Sequence, residues 1–172
     1  MSLQSSAKNL LSLERTLLNF LRHLCAIATL TQLFVQRVKH TECKILDTRK
    51  TTSGWRHLEK YAVQCGGGVN HRQGLYDAIM VKDTHVDLLG GMQLTLARLP
   101  TPKKFPVIVE IRNLAELSVA ISYRQQIDRI LLDNICSASL RDYVQLCKVN
   151  KLITEASGNL NLTNIKPPAQ GL

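Results

Sequence analysis

At 172 residues with 45% hydrophobic side chains, the chain can bury one real core and fits a single ordinary domain, yet it is short for a complete (β/α) barrel of about 250 residues. Its formal charge of +9 favours anionic partners, but 5% aromatic residues and no basic stripe interleaved with aromatics argue against a nucleic-acid partner. Cys25, Cys43, Cys65, Cys136 and Cys147 are odd in number and include no C-x-x-C pair, which reads as reduced thiols in a cytoplasmic protein and excludes a disulfide frame or zinc site.

In chain order, Met1 to Ser12 lacks the apolar core and cleavage site of a secretory signal. Leu17 to Val38 is apolar but interrupted by Arg22, His23, Thr29, Thr31, Gln32 and Arg37, so an amphipathic helix is expected and no membrane partner. Leu13, Leu17, Phe20, Leu21, Leu24, Ile27 and Ala28 recur at helical spacing and predict a core-facing stripe. The expected organisation is an N-terminal helical segment, 1–41, followed by a partial α/β barrel domain, 42–172.

Beyond the helix, short apolar runs alternate with helical stretches. Strands are predicted at Cys43 to Asp47, Ala78 to Lys82, Val107 to Ile111, Arg129 to Asp133 and Leu152 to Ala156. Helices are predicted near Trp55 to Cys65, Val86 to Leu99, Leu114 to Tyr123 and Ala138 to Val149. Strands repeating at roughly 25 to 35 residues match the length of a βα unit and predict parallel pairing. Runs such as Ile130-Leu131-Leu132 read as apolar on both faces. The Pro100 to Lys104 connection reads as a stiff surface loop with solvated lysines.

Each run ends in polar residues: Asp47, Lys82, Glu110, Asp133, and Glu155 before Ser157-Gly158. Ligands of parallel α/β folds bind at the carboxyl ends of strands, where these ends are expected to converge. The stretch Ile45 to His85 adds Arg49, Lys50, His71, Arg72 and Lys82, and the Gly66-Gly67-Gly68 run is expected to let the backbone approach a ligand. So many cations call for an anionic partner, because unpaired like charges repel and are costly to bury.

Asp47-Thr48-Arg49-Lys50-Thr51-Thr52, Lys60-Tyr61-Ala62-Val63, Gly66-Gly67-Gly68-Val69-Asn70-His71-Arg72 and Lys82-Asp83-Thr84-His85 stand in an order and spacing that resembles the signature of the quinolinate phosphoribosyltransferases. Glu14-Arg15-Thr16 upstream, and Glu110, Leu131-Leu132-Asp133-Asn134 and Glu155-Ala156-Ser157-Gly158-Asn159 downstream, extend the likeness from about Leu13 to Ile165. Departures include Ser53 for a usual proline, Trp55 for a common leucine and Thr84 for a usual asparagine.

The resemblance implies an incomplete (β/α) barrel of the type II phosphoribosyltransferase kind, and a transferase that makes nicotinate mononucleotide, carbon dioxide and pyrophosphate from quinolinate and phosphoribosyl pyrophosphate in NAD synthesis. By the same resemblance Arg49, His71, Arg72 and Lys82 hold the dicarboxylate, with Thr48 and Lys50 beside them. Arg15 adds a clamp that in the family reaches a neighbouring subunit, in a homodimer or larger assembly. Glu110 and Asp133 hold ribose hydroxyls or Mg²⁺, Ser157 and Gly158 cradle a phosphate, and Lys50, Lys82, Glu110 and Asp133 are the implied catalytic set.

Each residue also has a plainer reading. Arg49 and Lys50 can be a solvated turn, His71 a satisfied turn histidine, and Arg15 a partner of Glu14. Glu110 and Asp133 can be strand-mouth ion pairs with Lys82 or Arg49. A molybdenum-associated homologue with a different ligand and a non-catalytic binding remnant stand as alternatives. The family's N-terminal sandwich domain and last glycine loop find no counterpart, and Lys166 to Leu172 reads as a helix start stopped by Pro167-Pro168. A truncated, weakly active or inactive chain prone to self-association is the expectation that follows.

Overall fold

A computed structural model describes residues 4–165, so the expectation for Lys166 to Leu172 lies outside the described residues. The expected partition, 1–41 and 42–172, follows the sequence. The contacts instead gather one compact unit from the segment ending at Gln36 together with Lys44–His71, and a second from Arg37–Cys43 together with the chain from Arg72 onward.

Most of helix α1, Ala7–Val38, belongs to the first unit. No glycine or proline interrupts its 32 residues, and at its start the Ser6 hydroxyl accepts the Asn9 N–H at 3.4 Å. The predicted stripe begins later than expected. Phe20, Leu21, Leu24, Ile27 and Ala28 are half-buried and Thr31 is buried, whereas Leu13 and Leu17 are exposed. The helix is long and apolar enough to meet a length-and-composition test for a membrane span, which core helices and signal sequences also meet.

Helix α2, Arg56–Cys65, completes this unit with the segments around Asp47 and His71. The strand predicted at Cys43 to Asp47 is reduced to an isolated parallel bridge between Leu46 and Val69. Its apolar part is only Ile45-Leu46, and the Ile45 carbonyl and Asp47 N–H bond Val69 across the bridge, at 2.8 and 3.2 Å. The glycine run also departs from expectation, because it serves packing. A Cβ on Gly66 would meet Thr31 Cβ at 2.7 Å, and one on Gly68 would meet Val63 Cγ1 at 2.7 Å and Thr31 Cγ2 at 2.8 Å. Bare glycines let this turn lie against α1.

The second unit is a parallel sheet of β1 (Ile79–Val81), β2 (Val107–Ile111), β3 (Arg129–Asp133) and β4 (Ile153–Ser157), in that spatial order. Helices α3 (Asp83–Leu88), α4 (Met92–Leu96), α5 (Leu114–Ser122) and α6 (Ser137–Val149) connect the strands. The helix predicted over Val86 to Leu99 is two, interrupted at Gly90 and Gly91, whose φ values are +81° and +126°. Helix α5 starts where expected because the Asn113 side chain accepts the Glu116 N–H at 2.9 Å.

Register sorts the sheet into two faces. Laterally paired residues of parallel strands point the same way, and alternate residues along a strand point oppositely. Val81, Val109, Ile130 and Thr154 therefore share one face, with Val107, Ile111 and Leu132. Val107, Val109, Ile111, Ile130 and Leu132 are at most 1% exposed and pack with Leu96, Leu117, Ala120, Leu140 and Cys147 from the helices. The opposite face carries Met80, Glu110, Arg129, Asp133, Glu155 and Ser157. That face also carries Ile108, 3% exposed, and Leu131, so β2 and β3 are apolar on both sides, as the run Ile130-Leu131-Leu132 implied, with charged groups set among the apolar ones on the second face.

Candidate active site

In the first unit, buried polar bonding around Asp47 shapes the cation-bearing segments. Lys60, 2% exposed, is ion-paired with Asp47 and donates to the His71 carbonyl at 3.0 Å. Asp47 Oδ1 accepts the His71 N–H at 2.8 Å, and Asn70, its amide oriented by its neighbours, donates to Asp47 Oδ2 at 2.7 Å and to the Lys60 carbonyl at 3.0 Å. Both backbone groups of His71 are therefore held by buried charges.

A second set of bonds holds the turn after Asp47. The Thr48 hydroxyl accepts the Lys50 N–H at 3.1 Å, and Arg56 donates to Thr51 Oγ1 at 3.2 Å and to the Arg49 carbonyl at 3.3 Å. Glu59 accepts the Thr52 N–H at 3.2 Å and faces His23 Nε2 at 2.8 Å. Burial alone would raise the Glu59 pKa, but hydrogen bonds from Thr52 and His23 outweigh it and hold the carboxylate below its ordinary value. Arg49 is half-buried and its Nε is a buried donor with no hydrogen-bond partner among the described residues. Lys50 and Arg15 are exposed.

In the second unit, Arg72 donates to the Ala78 carbonyl at 3.1 Å and lies 3.5 Å from Met80 Sδ, beside the polar face of the sheet. The next loop is fixed by Asp77, which accepts the Gln73 N–H at 2.6 Å and the Gly74 N–H at 3.2 Å. Burial opposes ionisation of Asp77, yet these N–H groups and the Arg72 charge hold its pKa below the ordinary value.

At the carboxyl ends of the strands, Lys82 Nζ meets Glu110 at 2.6 Å, the ion pair that the plainer reading foresaw. The Glu110 side chain is 6% exposed and that of Lys82 44%, so the ammonium still reaches solvent. Asp133 accepts from the Ser157 hydroxyl at 2.5 Å and from Asn134 Nδ2 at 2.7 Å. Gly158 has φ +92°, and a Cβ there would lie 2.8 Å from the Asn134 nitrogen, so the Ser-Gly turn closes tightly over the end of β3. Deeper on the same face, Arg129 and Glu155 pair at 2.7 Å.

The predicted site residues thus fall into two sets. Arg15, Thr48, Arg49, Lys50 and His71 belong to the first unit. Arg72, Lys82, Glu110, Asp133, Ser157 and Gly158 belong to the second, where Lys82, Glu110, Asp133 and Ser157 share one face at one end of the sheet. Sequence reasoning missed Arg56 and Glu59, and it quoted Asp47, Lys60 and Asn70 without roles. Lys60 was legible in principle, being a lysine on the buried side of an otherwise regular helix.

Residues 27–170 match the family model described as quinolinate phosphoribosyl transferase, C-terminal domain. The nicotinate-nucleotide pyrophosphorylase (carboxylating) of Mycobacterium leprae is 40% identical over 95% of this chain and 58% of its own length. A probable enzyme of the same description from Synechocystis is 41% identical over 91% of this chain and 54% of its own length. The solved nicotinate-nucleotide pyrophosphorylase of Francisella tularensis superposes with a TM-score of 0.88 at 37% identity, over 96% of this chain and 58% of that one. The chain therefore spans somewhat over half the length of the relatives it matches.

Proposed function

Because the chain belongs to the quinolinate phosphoribosyltransferase family, we propose that it acts in the transfer of a phosphoribosyl group to quinolinate, giving nicotinate mononucleotide, carbon dioxide and pyrophosphate for NAD synthesis. The observation that carries the proposal is Arg49: its turn is braced through the backbone while its own Nε donor is buried and unpartnered. An unsatisfied buried guanidinium donor costs free energy unless an anion meets it, and a carboxylate matches its geometry. The description of the matching family supports quinolinate over the ligand of a molybdenum-associated homologue.

In this reading Arg49, His71 and Arg72 bind the two carboxylates, with Thr48, Lys50 and Lys82 adding donors, and Arg15 serves the site of a second copy. The pyridine nitrogen forms its bond to the anomeric carbon as the bond to pyrophosphate breaks. Lys50 and Lys82 stabilise the growing negative charge, Glu110 and Asp133 bind the ribose hydroxyls, and Ser157-Gly158 receives a phosphate. The quaternised ring then accepts the electron pair released when the adjacent carboxylate leaves as carbon dioxide, and a proton takes its place. No organic cofactor is required for that step.

Mg²⁺ fits as a cation carried in by phosphoribosyl pyrophosphate. Among the described residues no three His, Cys, Asp or Glu side chains stand together as a metal cage, and Mg²⁺ commonly keeps waters and bridges phosphates while touching one or two carboxylates. Glu110 and Asp133 are the hard oxygen donors at the strand ends that would serve it.

Calorimetric titration tests the assignment. Quinolinate should bind more tightly than nicotinate, which lacks the second carboxylate. Equal affinity for the two, or none for quinolinate, would count against it.

A further inference from the structure

Arg56 and Glu59 stand three residues apart on α2, on one side of the helix, and both reach into the Thr48 to Thr52 turn. Arg56 spends two guanidinium donors on the turn, one on the Thr51 hydroxyl and one on the Arg49 carbonyl. Glu59 takes the Thr52 N–H with one carboxylate oxygen and meets His23 with the other. His23 is itself packed edge-on against Trp55, with ring centroids 5.3 Å apart, and Trp55 stacks on Phe20 at 4.2 Å. The Glu59 side chain is 10% exposed, so its two bonds form where competing water is scarce.

Both side chains direct bonds at the turn or its support, Arg56 at Thr51 and the Arg49 carbonyl, Glu59 at the Thr52 N–H and at His23. We propose that Arg56 and Glu59 are positioning residues: together they hold the Thr48 to Thr52 turn so that the Arg49 Nε donor stays buried and open to an anion and the Lys50 side chain stays exposed. The α1 helix enters this brace through His23, which orients the Glu59 carboxylate. The inference rests on the proposed function for its ligand, but the brace itself can be read without one.

The test compares wild type, Glu59→Ala and Glu59→Gln in two measurements on the full chain, with circular dichroism confirming that each is folded. One is amide hydrogen exchange at Thr52, and the other is calorimetry with quinolinate. Glu59→Ala should speed exchange at Thr52 and weaken quinolinate about tenfold, the scale of one hydrogen bond that orders a charged site. Glu59→Gln keeps an oxygen acceptor, so it should preserve Thr52 protection and bind within about threefold of wild type. Unchanged exchange in Glu59→Ala, or equal loss in both variants, would overturn the brace. If Glu59→Ala does not fold, Arg56→Gln carries the same comparison, with faster exchange at Thr51 and Thr52 supporting the proposal and unchanged exchange refuting it. Absence of quinolinate binding in wild type would defeat the proposed function alone, and the exchange result would still decide the brace.

Discussion

The two units place their cations by different physical means. In the first, the segments around Arg49 and His71 contain almost no regular structure and are held by a buried Lys60–Asp47 pair and by side chains of α2. In the second, Lys82, Glu110 and Asp133 stand at the ends of strands whose other face is a packed apolar layer. A hydrogen-bonded hub gives local precision but depends on every partner, because a buried charge left alone is expensive. A hydrophobic layer spreads the same task over many contacts, and its register alone aims the side chains.

The largest expected effect comes from breaking the hub. Lys60→Met should destabilise the protein by about 3 to 5 kcal/mol in denaturant titration, because Asp47 stays buried without its cation. Adding Asp47→Asn should recover much of that loss, and failure to recover it would show that the pair is not the main support. Ile130→Ala, in the apolar layer of the second unit, should cost about 2 to 5 kcal/mol, and no second polar change should rescue it. Arg72→Ala should remove roughly 2 kcal/mol of quinolinate binding while leaving nicotinate less affected, as calorimetry on both ligands would show.

Acid sharpens the comparison further. Glu59 lies below its ordinary 4.5 although burial opposes this, because Thr52 and His23 bond the carboxylate. Asp128 lies below its ordinary 3.8, again against burial, through Lys103 and the Val107 N–H. A carboxyl depressed in the folded state adds stability that is present above its ordinary value and lost as pH falls through the lowered one. The urea midpoint should therefore decline on acidification below these values. Glu59→Gln and Asp128→Asn should each flatten part of that decline. The smallest effect is expected for Arg112→Ala. Arg112 bonds Asp87 at 2.9 Å and Glu116 at 2.7 Å, but on the surface, so the unfolding midpoint should barely move.

What was legible in the sequence follows the same division. The runs Val107 to Ile111 and Arg129 to Asp133 coincide with β2 and β3, because apolar runs bounded by turns and helical stretches report a parallel sheet directly. The polar face was hidden, since Glu110 and Arg129 look like isolated charges until register aligns them with Lys82, Asp133 and Glu155. Resemblance supplied the cations of the first unit, but it said nothing about what holds them. Asp47, Lys60 and His71 meet only through contacts 11 to 24 residues apart, which no local pattern encodes. The glycine run misled for a related reason, because a glycine that admits a ligand and one that admits a helix look alike in sequence. Lys103 is exposed, as expected, and also bonds Asp128 at 2.8 Å.

The central proposal is that the Arg49 turn, His71-Arg72 and Lys82 serve recognition of a dicarboxylate. The most direct measurement is a quinolinate titration of ¹⁵N-labelled protein followed by amide chemical shifts. The account predicts saturable shifts concentrated at residues 48–52, 70–72 and 82, with nicotinate moving them less. Shifts confined to other segments, or equal responses to the two ligands, would contradict it.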